Sequence, residues 1–278
     1  MRADYSGVSK TPGSATHVLD PRLTILATLI PGLFTAKDCL DIGCNAGSVS
    51  TQLGKYRKDT PAISCKRLLP PSHDIDGFAA FDFQAASVTG VDIDPKLVGQ
   101  AEKLFALRAS RVRPPTSDSQ RVVDWFPISA VLTHGYRIEP GSKNSSVSAL
   151  STGPRVSFVS ADWVVTTDRD IAESYDVILA LSVIKWIHLE HLDQGLVTFF
   201  AKCAASLRSG GYFVIELQTW DSYEKAVRPN HAPHFEQTLK ELKFRPETSF
   251  DDLLASEGLH LCASSNALPR RINVYRKA

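Results

Sequence analysis

The stretch KDCLDIGCNAG, residues 37–47, decides the fold. Its apolar residues between positions 39 and 42 predict a short buried strand. Gly43 and Gly47 then permit a sharp turn, because a residue without a Cβ lets the backbone approach a ligand closely. The following SVSTQLGKY predicts a helix. The pattern is DxGxxxG, which differs from the GxGxxG of pyrophosphate-binding folds and argues against a dinucleotide-dependent dehydrogenase.

Strands and helices alternate along the rest of the chain. The patterns predict further strands at 86–94, 155–163, 174–180, 212–218, 259–264 and 272–278. They predict helices that start at Asp20-Pro21 and at Pro95, one at 193–211 closed by Gly210-Gly211, and two more at 233–244 and 249–258. This alternation indicates an α/β, Rossmann-like fold with a mainly parallel seven-stranded sheet and helices on both faces.

Composition divides the chain into an arm and one domain. Residues 1–19 are small and polar and predict a mobile N-terminal arm, and the domain covers 20–278. Two irregular stretches, at about 58–85 and 111–155, are too long for ordinary loops and predict insertions. Within the second stretch, FPISAVLTHG has enough apolar residues to be ordered.

The overall charge is close to neutral, with 31 Lys and Arg against 30 Asp and Glu among 278 residues. A dedicated electrostatic binder of nucleic acid is usually more basic, so RNA binding would depend on local contacts. No segment reaches the roughly 20 apolar residues that a membrane span needs, and the start lacks a secretory signal. We therefore expect a soluble intracellular protein, and the five dispersed cysteines predict free thiols and no metal site.

Acidic residues stand at the ends of three predicted strands, where open α/β sheets bind ligands. Asp41 is placed to meet the ammonium of an amino-acid ligand, and Asp92 to accept hydrogen bonds from ribose hydroxyls. Asp94 is better suited to capping the next helix. Asp162 is placed to accept from an adenine amine while Trp163 packs on the base, although an ordinary core role for Trp163 stays open. Together they predict a site for S-adenosylmethionine.

Two later motifs, LSVIKWIHL at 181–189 and ELQTWDSY at 216–223, should lie at the same edge. An unpaired buried ammonium is costly, so Lys185 is expected to face a cleft and bind a phosphate oxygen. His188 is a second catalytic candidate, as a phosphate ligand or proton shuttle, with a packing role equally open. We expect substrate contacts from Lys185, Ser182, Glu216, Trp220 and Tyr223.

The motifs DIGCNAG, GVDID, ADW, LSVIKWIHL, ELQTWDSYEK, LKELKFRPE and NVYRKA together resemble the Bin3 family. This family includes the methylphosphate capping enzymes of small nuclear RNA, and FPISAVLTHG is similar to a segment of its fungal members. The resemblance covers most of 20–278, and LSVIKWIHL and LKELKFRPE are its specific parts. It implies a class I S-adenosylmethionine-dependent methyltransferase that methylates a terminal phosphate oxygen at the 5′ end of a small structured RNA, and it implies a nuclear location.

The same resemblance implies individual roles. It assigns cofactor contacts to Arg22, Gly43, Cys44, Asn45, Asp92, Ile93, Asp162, Trp163 and Leu181, in addition to Asp41 and Gly47 of the glycine turn, and it assigns the RNA phosphate to Lys185.

The chain departs from the family pattern at two places. Its arm, YSGVSKTPGSATHV, carries Tyr5 but no arginine that matches the family, and ELQTW stands where the family has EPQPW. Two other functions therefore stay open: a methyltransferase for a small molecule or a protein, and a catalytically weak protein that binds RNA ends. The sequence also leaves open whether a triphosphate or a monophosphate end is the acceptor.

Overall fold

The computed structural model describes residues 19–54, 83, 85–111, 127–136, 155–167 and 174–278. Nearly all of the predicted arm and most of both predicted insertions lie outside these residues. The part of FPISAVLTHG that is described forms a helix in which Val131 is buried, as its apolar content indicated.

One sheet runs through the described part of the chain, with seven strands in the order β3-β2-β1-β4-β5-β7-β6. Strands β1 to β5 pair in parallel, and β7 runs antiparallel to β5 and β6. The predicted mainly parallel seven-stranded sheet is therefore confirmed. The strands are β1 Asp38–Ile42, β2 Ser87–Asp92, β3 Arg155–Ser160, β4 Tyr175–Ala180, β5 Leu207–Glu216, β6 Leu259–Ser265 and β7 Ile272–Lys277.

Helices connect and cover the strands. In α1, Pro21 occupies the first turn and the Asp20 carboxylate caps the helix by accepting from the Arg22 backbone N–H at 2.9 Å. The helices are α1 Pro21–Leu29, α2 Ser48–Leu53, α3 Pro95–Arg111, α4 Ile128–His134, α5 Ile184–Ser206, α6 Trp220–Ala226, α7 Glu236–Glu241 and α8 Phe250–Ser256, with a 3₁₀ helix at Pro233–Phe235.

Two apolar cores lie on opposite faces of the sheet, because successive side chains of a strand point to opposite sides. In β4, Ile178 belongs to the core that includes Phe199 and Phe200 of α5. Its neighbour Val177 belongs to the core that includes Leu23 of α1. Helices on both faces thus hold the carboxyl ends of β1 to β5 at one edge.

The predicted helix at 193–211 ends too late, because α5 ends at Ser206. Its predicted start agrees with the kink at Leu192, where two helical segments of α5 meet, but the first segment, which begins at Ile184 and includes most of LSVIKWIHL, was not predicted. Gly210 and Gly211 do not cap α5, since both lie in β5. A Cβ on Gly211 would lie 3.0 Å from the backbone oxygen of Asp176, so the absence of a side chain allows β5 to lie close to β4 at this point.

Other element boundaries differ less. The predicted helix at 233–244 is a 3₁₀ helix followed by the shorter α7, and α6 was not predicted. Among the described residues, no helix has the length and apolar content to cross a bilayer, and no group of His, Cys, Asp and Glu could hold a metal ion.

Leu192 interrupts α5 with φ 60° and ψ −173°, a conformation that is essentially restricted to glycine. Such strain costs about 1–3 kcal/mol, whereas the added chain entropy of glycine costs about 0.5–1 kcal/mol. We expect Leu192→Gly to raise the free energy of unfolding by about 1 kcal/mol in urea titrations, because the side chain is 39% exposed and loses little packing.

The matched control is Leu132→Gly, at an exposed helical position without positive φ, which should destabilise by about 1 kcal/mol. Equal destabilisation by both changes would show that Leu192 is not strained.

Candidate functional site

The turn between β1 and α2 is built from residues with positive φ. Gly43, Asn45 and Gly47 have φ values of 73°, 52° and 76°. The backbone N–H groups of Gly43 and Cys44 donate to the Val91 carbonyl of β2 at 2.8 and 3.0 Å. The turn therefore has a fixed position against the end of the neighbouring strand.

Close packing also requires glycine at two positions of this turn. A Cβ on Gly43 would lie 2.5 Å from Cγ2 and 2.7 Å from Cβ of Val183, the residue before α5. A Cβ on Gly47 would lie 2.6 Å from Cβ of Ala101 in α3. The first glycine therefore sets the distance between the turn and the start of α5.

Asp92 ends β2 beside this turn. Its Oδ2 accepts from the Asn45 N–H at 2.9 Å, and its Oδ1 accepts from the Asp94 N–H at 3.0 Å. Carboxylate oxygens have about four acceptor sites in total, so both retain capacity for ligand hydroxyls. Ile93 is 64% exposed and offers an apolar surface next to the carboxylate. Asp94 caps the next helix through the Lys96 N–H, as expected.

Asp162 follows β3, and its two carboxylate oxygens have different partners. Oδ1 accepts from the Val164 N–H at 2.9 Å, and Oδ2 lies 2.9 Å from Nε2 of His191 on α5. Trp163 is 3% exposed and belongs to the α5-side core, and the Lys202 ammonium lies 4.6 Å from the centre of its ring. Trp163 is thus a core residue that also lines the cleft between these strand ends and α5.

An open, mainly apolar cleft lies between these strand ends and α5. It brings together the predicted residues Gly43, Asp92, Ile93, Asp162 and Trp163.

The opposite wall consists of residues that the sequence reasoning missed: Trp186, Ile187, Glu190, His191 and Phe235. The first four lie on one face of α5, at i, i+1, i+4 and i+5. A correct prediction of the helix start would have revealed that face.

Several predicted cofactor residues do not line this cleft. Asp41 is 3% exposed, and its Oδ2 accepts from the Ser50 hydroxyl at 2.6 Å. Burial raises the pKa of Asp41 to about 6, against the opposing effect of that hydrogen bond. Cys44 and Leu181 are buried, and Asn45 and Gly47 belong to the turn but do not line the cleft.

Arg22, Ser182 and Glu216 form a second cluster. The Arg22 guanidinium donates to Glu216 Oε2 at 3.1 Å and to the Asp20 carboxylate at 2.6 and 2.9 Å. Burial disfavours its charge, but the two acids outweigh burial and raise the pKa of Arg22. The Ser182 hydroxyl donates to Glu216 Oε2 and accepts from Arg270 at 3.0 Å. Internal partners thus hold the Glu216 carboxylate.

Gln218, two residues after Glu216, is a buried amide that the sequence reasoning missed. It is 4% exposed, and within the described chain neither of its side-chain polar atoms has a hydrogen-bond partner. Buried polar atoms are normally paired, so Gln218 is a candidate for contact with a polar ligand group.

Lys185 lies in the first turn of α5 and is 4% exposed. Its Nζ donates to the Ser222 hydroxyl at 3.1 Å and to the Ser222 carbonyl at 3.3 Å, and it lies 4.6 Å from the centre of the Trp186 ring. Burial lowers the pKa of Lys185 to about 8. No carboxylate of the described residues is within ion-pair distance, so the ammonium keeps its capacity to bind an anion.

His188 is fully buried, and both of its ring nitrogens are engaged. Nε2 lies 2.8 Å from Asp193 Oδ1, and Nδ1 lies 3.3 Å from the Tyr223 hydroxyl. Burial lowers the pKa of His188, although Asp193 opposes the shift. Tyr223 is also fully buried and stacks on the half-buried Trp220. The structure thus favours the packing role for His188 and does not bring His188 or Tyr223 to a surface where a substrate would touch them.

The sheet order, the single antiparallel strand β7 and the cleft at the carboxyl ends of β1 to β3 define a Rossmann-like class I methyltransferase fold. Residues 175–277 match the model of the family described as Bicoid-interacting protein 3, or Bin3. This part of the chain is therefore similar to the Bin3 family, and it contains the motifs LSVIKWIHL, ELQTWDSYEK and LKELKFRPE.

Curated relatives carry related names. The chain is 29% identical to a probable RNA methyltransferase of Arabidopsis thaliana, over 93% of the chain and 74% of that protein. It is 27% identical to a U6 snRNA methylphosphate capping enzyme of Drosophila melanogaster, over 86% of the chain and 59% of that protein. It is 28% identical to the human 7SK snRNA methylphosphate capping enzyme, over 74% of the chain but only 28% of that protein.

Solved structures with similar backbones are more distant. A magnesium protoporphyrin IX methyltransferase from Synechocystis aligns with a TM-score of 0.47 and 14% identity, over 93% of this chain and 77% of that one. An O-methyltransferase family protein from Burkholderia thailandensis aligns with a TM-score of 0.49 and 11% identity, over 93% and 55% of the two chains.

Replacement of Gly43 by alanine should disrupt the turn, because the new Cβ would collide with Val183 and the positive φ would be strained. We expect a loss of about 1–3 kcal/mol in the free energy of unfolding. The control is Gly99→Ala in α3, where a Cβ meets nothing within 4 Å and alanine should stabilise the helix by about 1 kcal/mol. Equal stability of the two variants in urea titrations would contradict the close approach at Gly43.

Asp41→Asn should stabilise the protein at pH 8, because burial makes the ionised carboxylate costly. A folded-state pKa of about 6 against an ordinary 3.8 corresponds to roughly 3 kcal/mol. The raised pKa means that the folded state binds the proton more tightly, so the gain should shrink as pH falls through 6 towards 4.

Urea unfolding at pH 8 and pH 5 measures this difference. The control is Asp252→Asn, an exposed carboxylate in the first turn of α8, which should give no gain in stability at either pH. A stability gain for Asp41→Asn that is independent of pH would contradict a buried, ionised Asp41.

Proposed function

We propose that this chain is an S-adenosylmethionine-dependent methyltransferase that acts on the 5′-terminal phosphate of a small structured RNA. The observation that carries this proposal is the buried Lys185 ammonium, which has only neutral partners and lies on the helix that also walls the cleft. The match of residues 175–277 to the Bin3 family model and the names of the curated relatives support the same acceptor. The expected nuclear location has the same support.

The residues of the cleft fit the nucleoside part of S-adenosylmethionine. The Asp92 carboxylate is held with free acceptor capacity beside the turn, where ribose hydroxyls would donate to it. The exposed Ile93 and the buried Trp163 offer apolar surface to a flat base, and Asp162 offers an acceptor to the adenine amine. When bound, the cofactor supplies an electrophilic methyl group on a sulfonium.

A phosphate acceptor suits the groups that surround this cleft. A phosphate oxygen is already anionic, so it needs alignment and charge neutralisation and no general base. Lys185 supplies the positive charge, and a bound phosphate would raise its pKa from about 8, since an opposite charge favours the ammonium. The burial of His188 is consistent with this chemistry, because no proton has to be shuttled.

The direct test incubates the protein with S-adenosylmethionine and with RNAs that carry a 5′ triphosphate, monophosphate or hydroxyl. Mass spectrometry of the 5′ ends should show one added methyl group on phosphorylated RNA and none on the hydroxyl form. Methyl transfer to protein or to small metabolites, with none to RNA, would replace this proposal by one of the other methyltransferase functions.

Lys185→Ala should raise the KM for 5′-phosphorylated RNA about 10-fold or more, because a hydrogen-bonded charged contact contributes about 1.5–3 kcal/mol. The affinity for S-adenosylhomocysteine should change little in calorimetry. The control is Lys240→Ala, an exposed lysine on α7 that pairs with Glu236. An unchanged KM for RNA in the Lys185 variant would remove this residue from the acceptor site.

A further inference from the structure

Two parallel contacts join α5 to α6. The Lys185 ammonium donates to the hydroxyl and the carbonyl of Ser222, and one turn later His188 Nδ1 meets the hydroxyl of Tyr223. The second contact is fully buried. The position of Ser222 relative to Lys185 therefore depends on the neighbouring His188–Tyr223 contact.

The chain after α7 is a third segment, and it contacts this pair of helices through Asp193 of α5. Beyond the interruption of α5, Asp193 Oδ1 lies 2.8 Å from His188 Nε2. Its two oxygens also accept the backbone N–H groups of Lys243 and Phe244, at 2.9 and 3.2 Å. One carboxylate thus orients the imidazole and anchors the chain after α7.

The third segment also contacts α6 directly. The Arg245 guanidinium carbon lies 3.6 Å from the centre of the Trp220 ring, and Glu247 accepts from the Trp220 N–H at 2.7 Å. The three segments overlap LSVIKWIHL, ELQTWDSYEK and LKELKFRPE, and we call them the motif cluster (residues 184–193, 220–227 and 242–247).

We propose that Ser222 is a positioning residue for the acceptor phosphate: it holds the Lys185 ammonium, and the Asp193–His188–Tyr223 chain holds Ser222. This inference rests on the proposed function of Lys185. An ammonium has three donors, and Ser222 takes two of them, so the third is left with a defined direction for a phosphate oxygen.

The Lys185 ammonium has its side-chain hydrogen bonds within the described chain to Ser222 alone. Burial lowers the pKa of Lys185, and the hydroxyl and carbonyl of Ser222 are the acceptors that offset the loss of water around Nζ. Removal of the hydroxyl should lower this pKa further. The nearby titratable groups are His188, Glu190, His191 and Asp193 of α5, Asp221, Tyr223, Glu224 and Lys225 of α6, and Glu216 of β5. Within the described chain none of the acids among them forms an ion pair with Nζ.

The test compares Ser222→Ala with Ser222→Thr, which keeps the hydroxyl at a half-buried position. In Ser222→Ala we expect the KM for 5′-phosphorylated RNA to rise about fivefold, equivalent to a net hydrogen bond of roughly 1 kcal/mol. The alkaline limb of kcat/KM should move to lower pH, while affinity for S-adenosylhomocysteine stays the same. Ser222→Thr should restore both values, and Tyr223→Phe should shift them less but in the same direction.

Ser256→Ala is the control, because that serine also lies in a short helix, but its hydroxyl donates to the Leu253 carbonyl of α8 and has no contact with Lys185. An NMR titration of the Lys185 side chain gives a second readout that needs no activity, and its pKa should fall in Ser222→Ala. A pKa, KM and pH profile that all match the wild type would overturn the role of Ser222, even if Lys185→Ala weakens RNA use. A wild-type protein that methylates no RNA, with the NMR shift present, would instead overturn the proposed function.

Discussion

The close approach of the glycine turn to the start of α5 fixes the geometry of the whole functional edge. Gly43 lies so near Val183 that any side chain would collide, and its N–H is bonded to the end of β2. The same turn holds Asp92 through the Asn45 N–H. One local constraint thus sets the distance between the acids at the strand ends and the helix that carries Lys185.

The rest of the site divides into two parts with different chemistry. The strand ends supply acceptors and apolar surface that suit a nucleoside, as in other sheets of this class. The motif cluster supplies a buried ammonium held by neutral groups, and its members are joined to each other by Asp193, His188, Tyr223 and Arg245. The motif cluster therefore lies where the acceptor is expected to bind, and its α5 segment also lines the cleft at the strand ends.

The sequence predicted the sheet, the turn and the cleft residues Asp92 and Asp162 well, because strand periodicity and glycine turns are local patterns. It missed the start of α5, since Ile184, Trp186 and Ile187 are apolar around the helix and Leu192 interrupts the pattern. That error hid His191 from the cleft wall. It left a packing role for His188 open and did not predict the burial of Asp41, because the partners Tyr223 and Ser50 are identified only once the elements pack together.

The most direct test is a crystal structure with S-adenosylhomocysteine and a short 5′-phosphorylated RNA. The expected structure has ribose hydroxyls on Asp92, the adenine amine near Asp162, and the terminal phosphate bonded to the Lys185 ammonium while Ser222 keeps its contact. A nucleoside bound away from the cleft, or a terminal phosphate that does not reach Lys185, would contradict the placement of the two subsites.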